Sequence, residues 1–212
     1  MNLLGSTSGR FTLFTVLYFC EGAPIGFIWY AVPTLLRSRD IPTDHIGGLI
    51  ALLVLPWALK FLWAPLIDSW RGARFGFRGW IACAQGVMGL SLLPLIFLDP
   101  VQHFGWWSGL LWIHAFAAST QDVAVDALAI RCTPRHEHGR LNSCMQTGML
   151  LGRGLFGGVG IWLASWAGLG TVAAALVGGI WISMCILLWV QEPLKSAAQS
   201  ASSARSAAPS DA

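Results

Sequence analysis

The sequence predicts an all-α membrane protein, a polytopic bundle of six transmembrane helices, and three observations support this fold class. Only 11% of its 212 residues are charged and 55% are apolar, whereas soluble domains carry about 25% charged residues. Six long apolar segments alternate with short polar connections, and the basic residues collect in alternate connections. These features exclude a soluble globular domain. The basic residues form no continuous patch, so we expect the lipid bilayer, and no nucleic acid, as a partner.

The apolar segments define the domain organisation. A transmembrane helix needs about 20 mostly apolar residues to cross about 30 Å of hydrocarbon. Six segments satisfy this requirement, and we number them spans 1 to 6: residues 11–36, 46–67, 79–98, 106–130, 141–164 and 170–191. We therefore expect a cytoplasmic N-terminus over residues 1–10 and one membrane domain over residues 11–193. The Ser/Ala-rich tail, residues 194–212, cannot bury a core and is expected to be disordered.

The distribution of Lys and Arg predicts the orientation. Nine of the thirteen basic residues lie in the N-terminus, in connections 2–3 and 4–5, and in the tail. Arg37 and Arg39 lie in connection 1–2, while connections 3–4 and 5–6 contain none. Because cytoplasmic segments carry the excess of Lys and Arg, both termini are expected on the cytoplasmic side.

Four ionisable residues lie deep inside predicted spans. An ionised group at the bilayer centre costs at least about 2.5–3.5 kcal/mol, so it needs a partner, a wet cavity or neutralisation. At a rise of about 1.5 Å per residue, Glu21 and Arg153 lie roughly 15 and 18 Å from the cytoplasmic ends of their spans. Lys60 and Asp122 each lie about 10–12 Å from theirs. Each pair is opposite in sign and similar in depth.

These residues permit two interpretations. In the first, they form internal salt bridges that only fix helix packing. In the second, Glu21, Gln121, Asp122 and Arg153 face a central aqueous pathway in which carboxylates exchange protons.

Asp126 has two possible environments as well. It lies one turn nearer the cytoplasm than Asp122 and shares a helix face with it, which favours the pathway. It is also close enough in sequence to Arg131 or Arg135 to pair with either at the membrane edge.

The spans also differ in their polar content. Spans 1, 2, 4 and 5 carry intramembrane polar residues, whereas spans 3 and 6 carry almost none. The order of two polar spans followed by one apolar span thus occurs twice, which predicts two three-helix units of inverted topology. Pro24 predicts a bend or unwinding in span 1. The glycine pairs of span 5, Gly148/Gly152 and Gly154/Gly158, have the spacing of closely packed helices.

No motif indicates an enzyme. The segment His136-Glu137-His138 is too short for the HExxH zinc arrangement and is expected to be a solvated loop. The five cysteines lack metal-binding spacing, so no metal and no cofactor is predicted. His114 in span 4 suits a packing residue better than a proton relay.

Two segments carry a family resemblance. LKFLWAPLID, residues 59–68, resembles the KFLW-x-P-L-x-D segment of AmpG-type muropeptide permeases, and ASTQDVAVDA, residues 118–127, resembles their A-S-x-Q-D-x-x-x-D-A segment. Leu151-Gly152-Arg153 is similar to their G-Y-R-x-G. The similarity extends over residues 11–193 and is shared with acetyl-coenzyme A transporters.

Connection 2–3 resembles the corresponding cytoplasmic loop of the major facilitator superfamily, in which a charge network latches one conformation. The matching residues here are Asp68, Arg71, Arg74 and Arg78. The three arginines would equally serve as positive-inside determinants, and both roles are compatible.

The resemblance implies one half of a major facilitator fold, built of two inverted three-helix repeats in the inner membrane. It also implies proton-driven uptake of muropeptides, or of a related solute, in peptidoglycan recycling. On this account the family positions fall on Lys60, Asp68, Gln121, Asp122, Asp126 and Arg153. Family members have at least twelve spans and this sequence has six. We therefore expect a second six-helix half, supplied by a separate chain or a second copy; the alternative is a truncated, non-transporting membrane protein.

Overall fold

A computed structural model describes residues 2–69 and 76–191 of the chain. The predicted disordered tail and the loop residues Arg71 and Arg74 lie outside these ranges. In chain order the helices are α1 (Thr7–Gly26), α2 (Val32–Arg37), α3 (Thr43–Leu59), α4 (Ala64–Ser69), α5 (Phe77–Leu92), α6 (Phe104–Cys132), α7 (His138–Gly154), α8 (Gly160–Ala167) and α9 (Leu169–Ile186). The described residues contain no strand, which confirms the all-α fold class.

The six predicted spans correspond to six long helical segments. Five of them are long and apolar enough to cross a membrane: Thr7–Arg37, Thr43–Leu62, Phe77–Ile96, Arg135–Ala167 and Leu169–Trp189. The protein is therefore a multi-pass membrane protein. Span 4 is α6, whose 29 residues are long enough but not apolar enough to join the other five. Its low apolarity follows from His114, Gln121, Asp122 and Asp126.

Spans 1 and 5 each contain a π-helical turn, at Phe27–Ala31 and Leu155–Val159. The two turns contact each other. In span 1 the backbone N–H of Phe27 is shared between the carbonyl oxygens of Ala23 and Pro24. Of the predicted bend or unwinding at Pro24, the unwinding is wrong: α1 continues through Pro24 to Gly26 and passes directly into the π turn, while the bend stays a prediction.

Four of the contacts between spans form two matching pairs. Span 1 packs on span 5 and span 2 packs on span 4; span 3 packs on span 4 and span 1 packs on span 6. Each pair is exchanged when spans 1–3 are swapped with spans 4–6, and the contact between spans 3 and 6 maps onto itself. This pattern agrees with two three-helix units.

A polar layer divides the core. One apolar cluster lies on the side predicted to be cytoplasmic and includes Phe14, Phe77 and Leu128. A second lies toward the opposite ends of the helices and includes Phe27 and Trp107. Between the two clusters, at positions in spans 1, 3, 4 and 6, lie the buried polar residues Glu21, Gln85, Gln121, Asp122 and Ser183. The candidate site occupies this layer.

Candidate transport site

Glycines bring the backbones of α1 and α7 together at the level of the site. A Cβ added at Gly22 would lie 2.3 Å from the carbonyl oxygen of Met149, and one at Gly152 would lie 2.4 Å from that of Phe19. Gly26 and Gly148 make equivalent contacts across the same interface. The first glycine pair predicted from span 5 is thus at a helix interface, whereas Gly154 and Gly158 have no atom within 4 Å of an added Cβ.

Lys60 and Asp122 form an ion pair between spans 2 and 4. The α-helix of span 2 ends at Leu59, and Lys60 begins a 3₁₀ turn that extends to Leu62. Its Nζ lies 2.5 Å from Oδ2 of Asp122, and the two side chains are 37% and 11% exposed. Their matched depth in the sequence therefore corresponds to a direct contact, as the first of the two interpretations requires.

Asp126 is hydrogen-bonded to span 1. The hydroxyl of Tyr18 donates to Oδ1 of Asp126. The alternative in which Asp126 pairs with Arg131 or Arg135 is not found among the ion pairs of the described residues, and the guanidinium of Arg131 lies 5.3 Å from the ring centre of Phe77. Tyr18 was missed from the sequence, although it lies three residues before Glu21 and therefore on the same helix face.

Glu21 is the most deeply buried acid of the site. Its exposure is 1%, and within residues 2–69 and 76–191 no N–H or O–H group donates to either carboxylate oxygen, although the carboxyl group of Asp122 is within hydrogen-bonding reach. Asp122, Asp126 and Lys60 are close enough for their charges to act on it. Three carboxylates and one ammonium thus share one region, joined by contacts among spans 1, 2 and 4.

Gln121 and Arg153 also carry unpaired polar atoms. Gln121 is 1% exposed, and neither its amide nitrogen nor its amide oxygen has a partner among the described residues. Arg153 is half-buried, and its Nε is likewise buried without a partner in that part of the chain. The described residues contain no ion pair between Arg153 and Glu21, so equal depth did not produce contact for this pair.

The predicted gating loop is described only at its ends. Asp68 is exposed near the end of α4. Arg78 at the start of α5 donates from Nη1 to the carbonyl oxygen of Val190, 3.0 Å away, and so ties span 3 to the end of span 6. The latching role of this loop stays a prediction.

A cluster on the side predicted to be cytoplasmic joins spans 1 and 5. Nη2 of Arg10 lies 2.6 Å from Oε2 of Glu137, and the hydroxyl of Thr7 donates to Oε1 at 2.9 Å. The Arg10 hydrogen bond holds the pKa of Glu137 below its usual value. The prediction that His136-Glu137-His138 is merely a solvated loop is therefore wrong for Glu137, whose side chain is 14% exposed.

His114 is buried, and Nδ1 of its ring contacts span 3 while Nε2 has no partner among the described residues, so its packing role stays a prediction. It is 1% exposed, and its Nδ1 lies 3.2 Å from the carbonyl oxygen of Met88 on span 3. Within the described ranges no group of three or more His, Cys, Asp or Glu residues is arranged to hold a metal ion.

Comparison with known proteins gives relatives among transporters. Residues 10–100 match the family model described as acetyl-coenzyme A transporter 1. The anhydromuropeptide permease of Escherichia coli K12 is 28% identical over 173 residues, covering 79% of this chain and 35% of the permease. A putative transporter, AmpG 3, of Rickettsia typhi is 30% identical over 180 residues, 82% of this chain and 42% of that protein.

The chain therefore spans well under half the length of these curated relatives. The named relatives are a permease and a transporter, in keeping with a protein that is not an enzyme. The match also confirms the resemblance that the two motifs predicted. This chain is related to the AmpG-like transporter group of the major facilitator superfamily.

Proposed function

We propose that the chain forms half of a proton-coupled secondary transporter that takes up muropeptides, or a related solute, across the inner membrane. Its binding and proton pathway runs through Glu21, Lys60, Gln121, Asp122, Asp126 and Arg153. A second six-helix half, from a separate chain or a second copy, supplies the other wall of the pathway. Both termini then lie in the cytoplasm.

The observation that carries this proposal is the burial of Glu21 beside a second acid. A carboxyl group that is 1% exposed, and that has only the carboxyl group of Asp122 within hydrogen-bonding reach among the described residues, is costly if it serves only packing. Its neighbours are two further carboxylates and a single ammonium, so the cluster has an excess of acid. Such a group is well suited to gaining a proton at one stage of a transport cycle and losing it at another.

The acids of the cluster differ in their hydrogen-bond and ion-pair partners. Asp122 is held by Lys60 and Asp126 by the hydroxyl of Tyr18. A change in the protonation of Glu21 alters the field at both contacts, because Asp122, Asp126 and Lys60 act on Glu21 and it acts on them. Since Lys60 belongs to span 2 and Asp122 to span 4, the proton on Glu21 is coupled to the contact between two spans.

The substrate follows only from the relatives. One relative is named for anhydromuropeptides and the matching family model for acetyl-coenzyme A. The unpaired amide of Gln121 and the half-buried guanidinium of Arg153 offer hydrogen-bond donors to a polar, anionic solute, a class that includes both.

The test is an uptake assay of Asp122→Asn in membrane vesicles, with and without a co-expressed second half. Labelled anhydromuropeptide and labelled acetyl-coenzyme A are offered separately at a fixed inward proton gradient. We expect the unaltered chain to accumulate one of them: uptake that requires the co-expressed half identifies a separate chain as the second half, and uptake without it identifies a second copy. Asp122→Asn should reduce that uptake to background because Lys60 loses its counter-charge.

Asp44→Asn is the matched control, since it makes the same chemical change at an exposed position at the start of α3. Equal uptake by Asp122→Asn and Asp44→Asn would remove Asp122 from the pathway. Absence of uptake under every pairing would favour the alternative of a non-transporting membrane protein.

A further inference from the structure

A cavity lies between α6 and α7, one turn away from the ion pair of Lys60 and Asp122. Its volume is about 290 Å³. Its walls come from the last turns of α6 and the first turns of α7, and the lining residues are Asp126, Ala129, Ile130, His138, Leu141, Asn142 and Met145. It lies at the end of the bundle predicted to be cytoplasmic, where the α6–α7 connection is.

The cavity is suited to hold water. One water occupies about 30 Å³ in the liquid and needs two to four polar partners when it is buried. The cavity exceeds that volume severalfold, and Asp126, His138 and Asn142 supply a carboxylate, an imidazole and an amide. The ring of His138 is oriented by the contact of its Nε2 with the carbonyl oxygen of Thr133, 2.9 Å away.

The inner end of the cavity meets the buried acids. Asp126 lines the cavity and also accepts the hydrogen bond from Tyr18 of α1. One helical turn farther into the membrane lies Asp122 with its partner Lys60 from span 2. The groups that act on Asp126 are therefore Tyr18, Asp122 and Lys60, with His138 across the cavity on α7. Beyond them lies the enclosed carboxylate of Glu21.

We propose that this cavity is the cytoplasmic access route by which water reaches the buried acids, with Asp126 as its innermost exposed group. This proposal rests on the proposed function for what the water carries, namely protons. Protons travel between the cytoplasm and the acids through the cavity, while Glu21, at 1% exposure, exchanges only by way of Asp126 and its neighbours. The access itself is a property of this chain and does not require a second half.

Cysteine accessibility tests the route without any transport assay. Ala129→Cys places a thiol in the cavity wall. Two variants on the same helix, outside the cavity lining, serve as controls: Ala124→Cys makes the same chemical change, and Leu128→Cys places the thiol at nearly the same depth as residue 129 but on another face of the helix. All three positions are at most 3% exposed, so burial alone predicts equal reactivity. The probe is a small, membrane-impermeant cationic methanethiosulfonate applied to inside-out vesicles. Site-resolved mass spectrometry separates the new thiol from the five native cysteines.

Because only a hydrated, ionised thiol reacts, we expect Ala129→Cys to be modified at least about tenfold faster than either control. Adding Asn142→Trp should slow this modification by about tenfold, since the indole fills the outer part of the cavity. Met145→Cys, at a second lining position, replaces Ala129→Cys if the latter does not accumulate in the membrane.

Equal rates at all three positions would overturn the proposal, as would modification only from the opposite membrane face or indifference to Asn142→Trp. The two proposals fail separately. Fast labelling of Ala129→Cys together with no uptake leaves the access route and removes the transport function. Uptake together with slow labelling of Ala129→Cys would support the transport function and remove the access route.

Discussion

The contact between spans 1 and 5 and the contact between spans 2 and 4 are exchanged when spans 1–3 are swapped with spans 4–6, yet they are built differently. Glycines join spans 1 and 5 backbone to backbone. Spans 2 and 4 meet through long side chains, chiefly the pair of Lys60 with Asp122 and the ring contact of Trp63 with Phe116. In the most apolar stretch of span 1, 67% of residues are buried; in that of span 2, only 22% are.

This difference shows where the bundle is able to move. Close-packed backbones have one good arrangement, and a small displacement produces clashes. Side-chain contacts such as an ion pair can form and break with rotamer changes alone. We infer that spans 1 and 5 form a fixed unit and that span 2 moves against span 4 when the charge on the pair changes.

The largest expected effect comes from filling the glycine contact. In Gly152→Ala the new Cβ meets the backbone of Phe19 at 2.4 Å and of Ala23 at 2.8 Å, and neither neighbour can rotate away. We expect the free energy of unfolding in detergent to fall by about 1–3 kcal/mol, the usual cost of overpacking. Gly154→Ala, on the same helix with nothing within 4 Å, should leave stability unchanged or raise it slightly. Equal effects of the two would contradict a fixed unit.

The ion pair should contribute less. A double-mutant cycle of Lys60→Met and Asp122→Asn is expected to give a coupling energy of about 1 kcal/mol in equilibrium unfolding, because Lys60 stays over a third exposed and solvent screens the pair. The exposed pair of Arg39 with Asp99 serves as the comparison, and its cycle should give about 0.5 kcal/mol or less. A coupling energy as large as the Gly152→Ala effect would mean that spans 2 and 4 are no more mobile than spans 1 and 5.

The smallest effect is a pH dependence in the fixed unit. Because the hydrogen bond from Arg10 lowers the pKa of Glu137 in the folded protein, this contact stabilises the fold above the unfolded pKa, about 4.3, and is lost as pH falls through the folded pKa. The melting temperature of Glu137→Gln should therefore lie below that of the unaltered chain at pH 7 and converge with it below about pH 4. A gap that widens toward acid pH would reverse the sign and contradict the assignment.

Apolar length and depth were enough to predict much of the fold and one contact of the site. The predicted spans fall within a few residues of the observed helices, and Lys60 meets Asp122 as their matched depths suggested. Equal depth did not predict a contact for Arg153 with Glu21, because two side chains at the same depth meet only if their helices are also rotated so that both side chains face each other. Nearly uniform apolar helices give little periodic signal for that rotation. The hydrogen bond of Tyr18 with Asp126 was missed for the same reason.

The paired π turns have a consequence for the outer ends of spans 1 and 5. A π turn inserts one residue into the helix, so every side chain after it is turned by about 100° relative to an uninterrupted α-helix. Positions on one stripe with Glu21 before Phe27 therefore point elsewhere after Ala31, and the same offset follows Leu155–Val159 in span 5. The residues of Val32–Arg37 and Gly160–Ala167 that face the neighbouring helices are thus not the ones that an uninterrupted α-helix would place there.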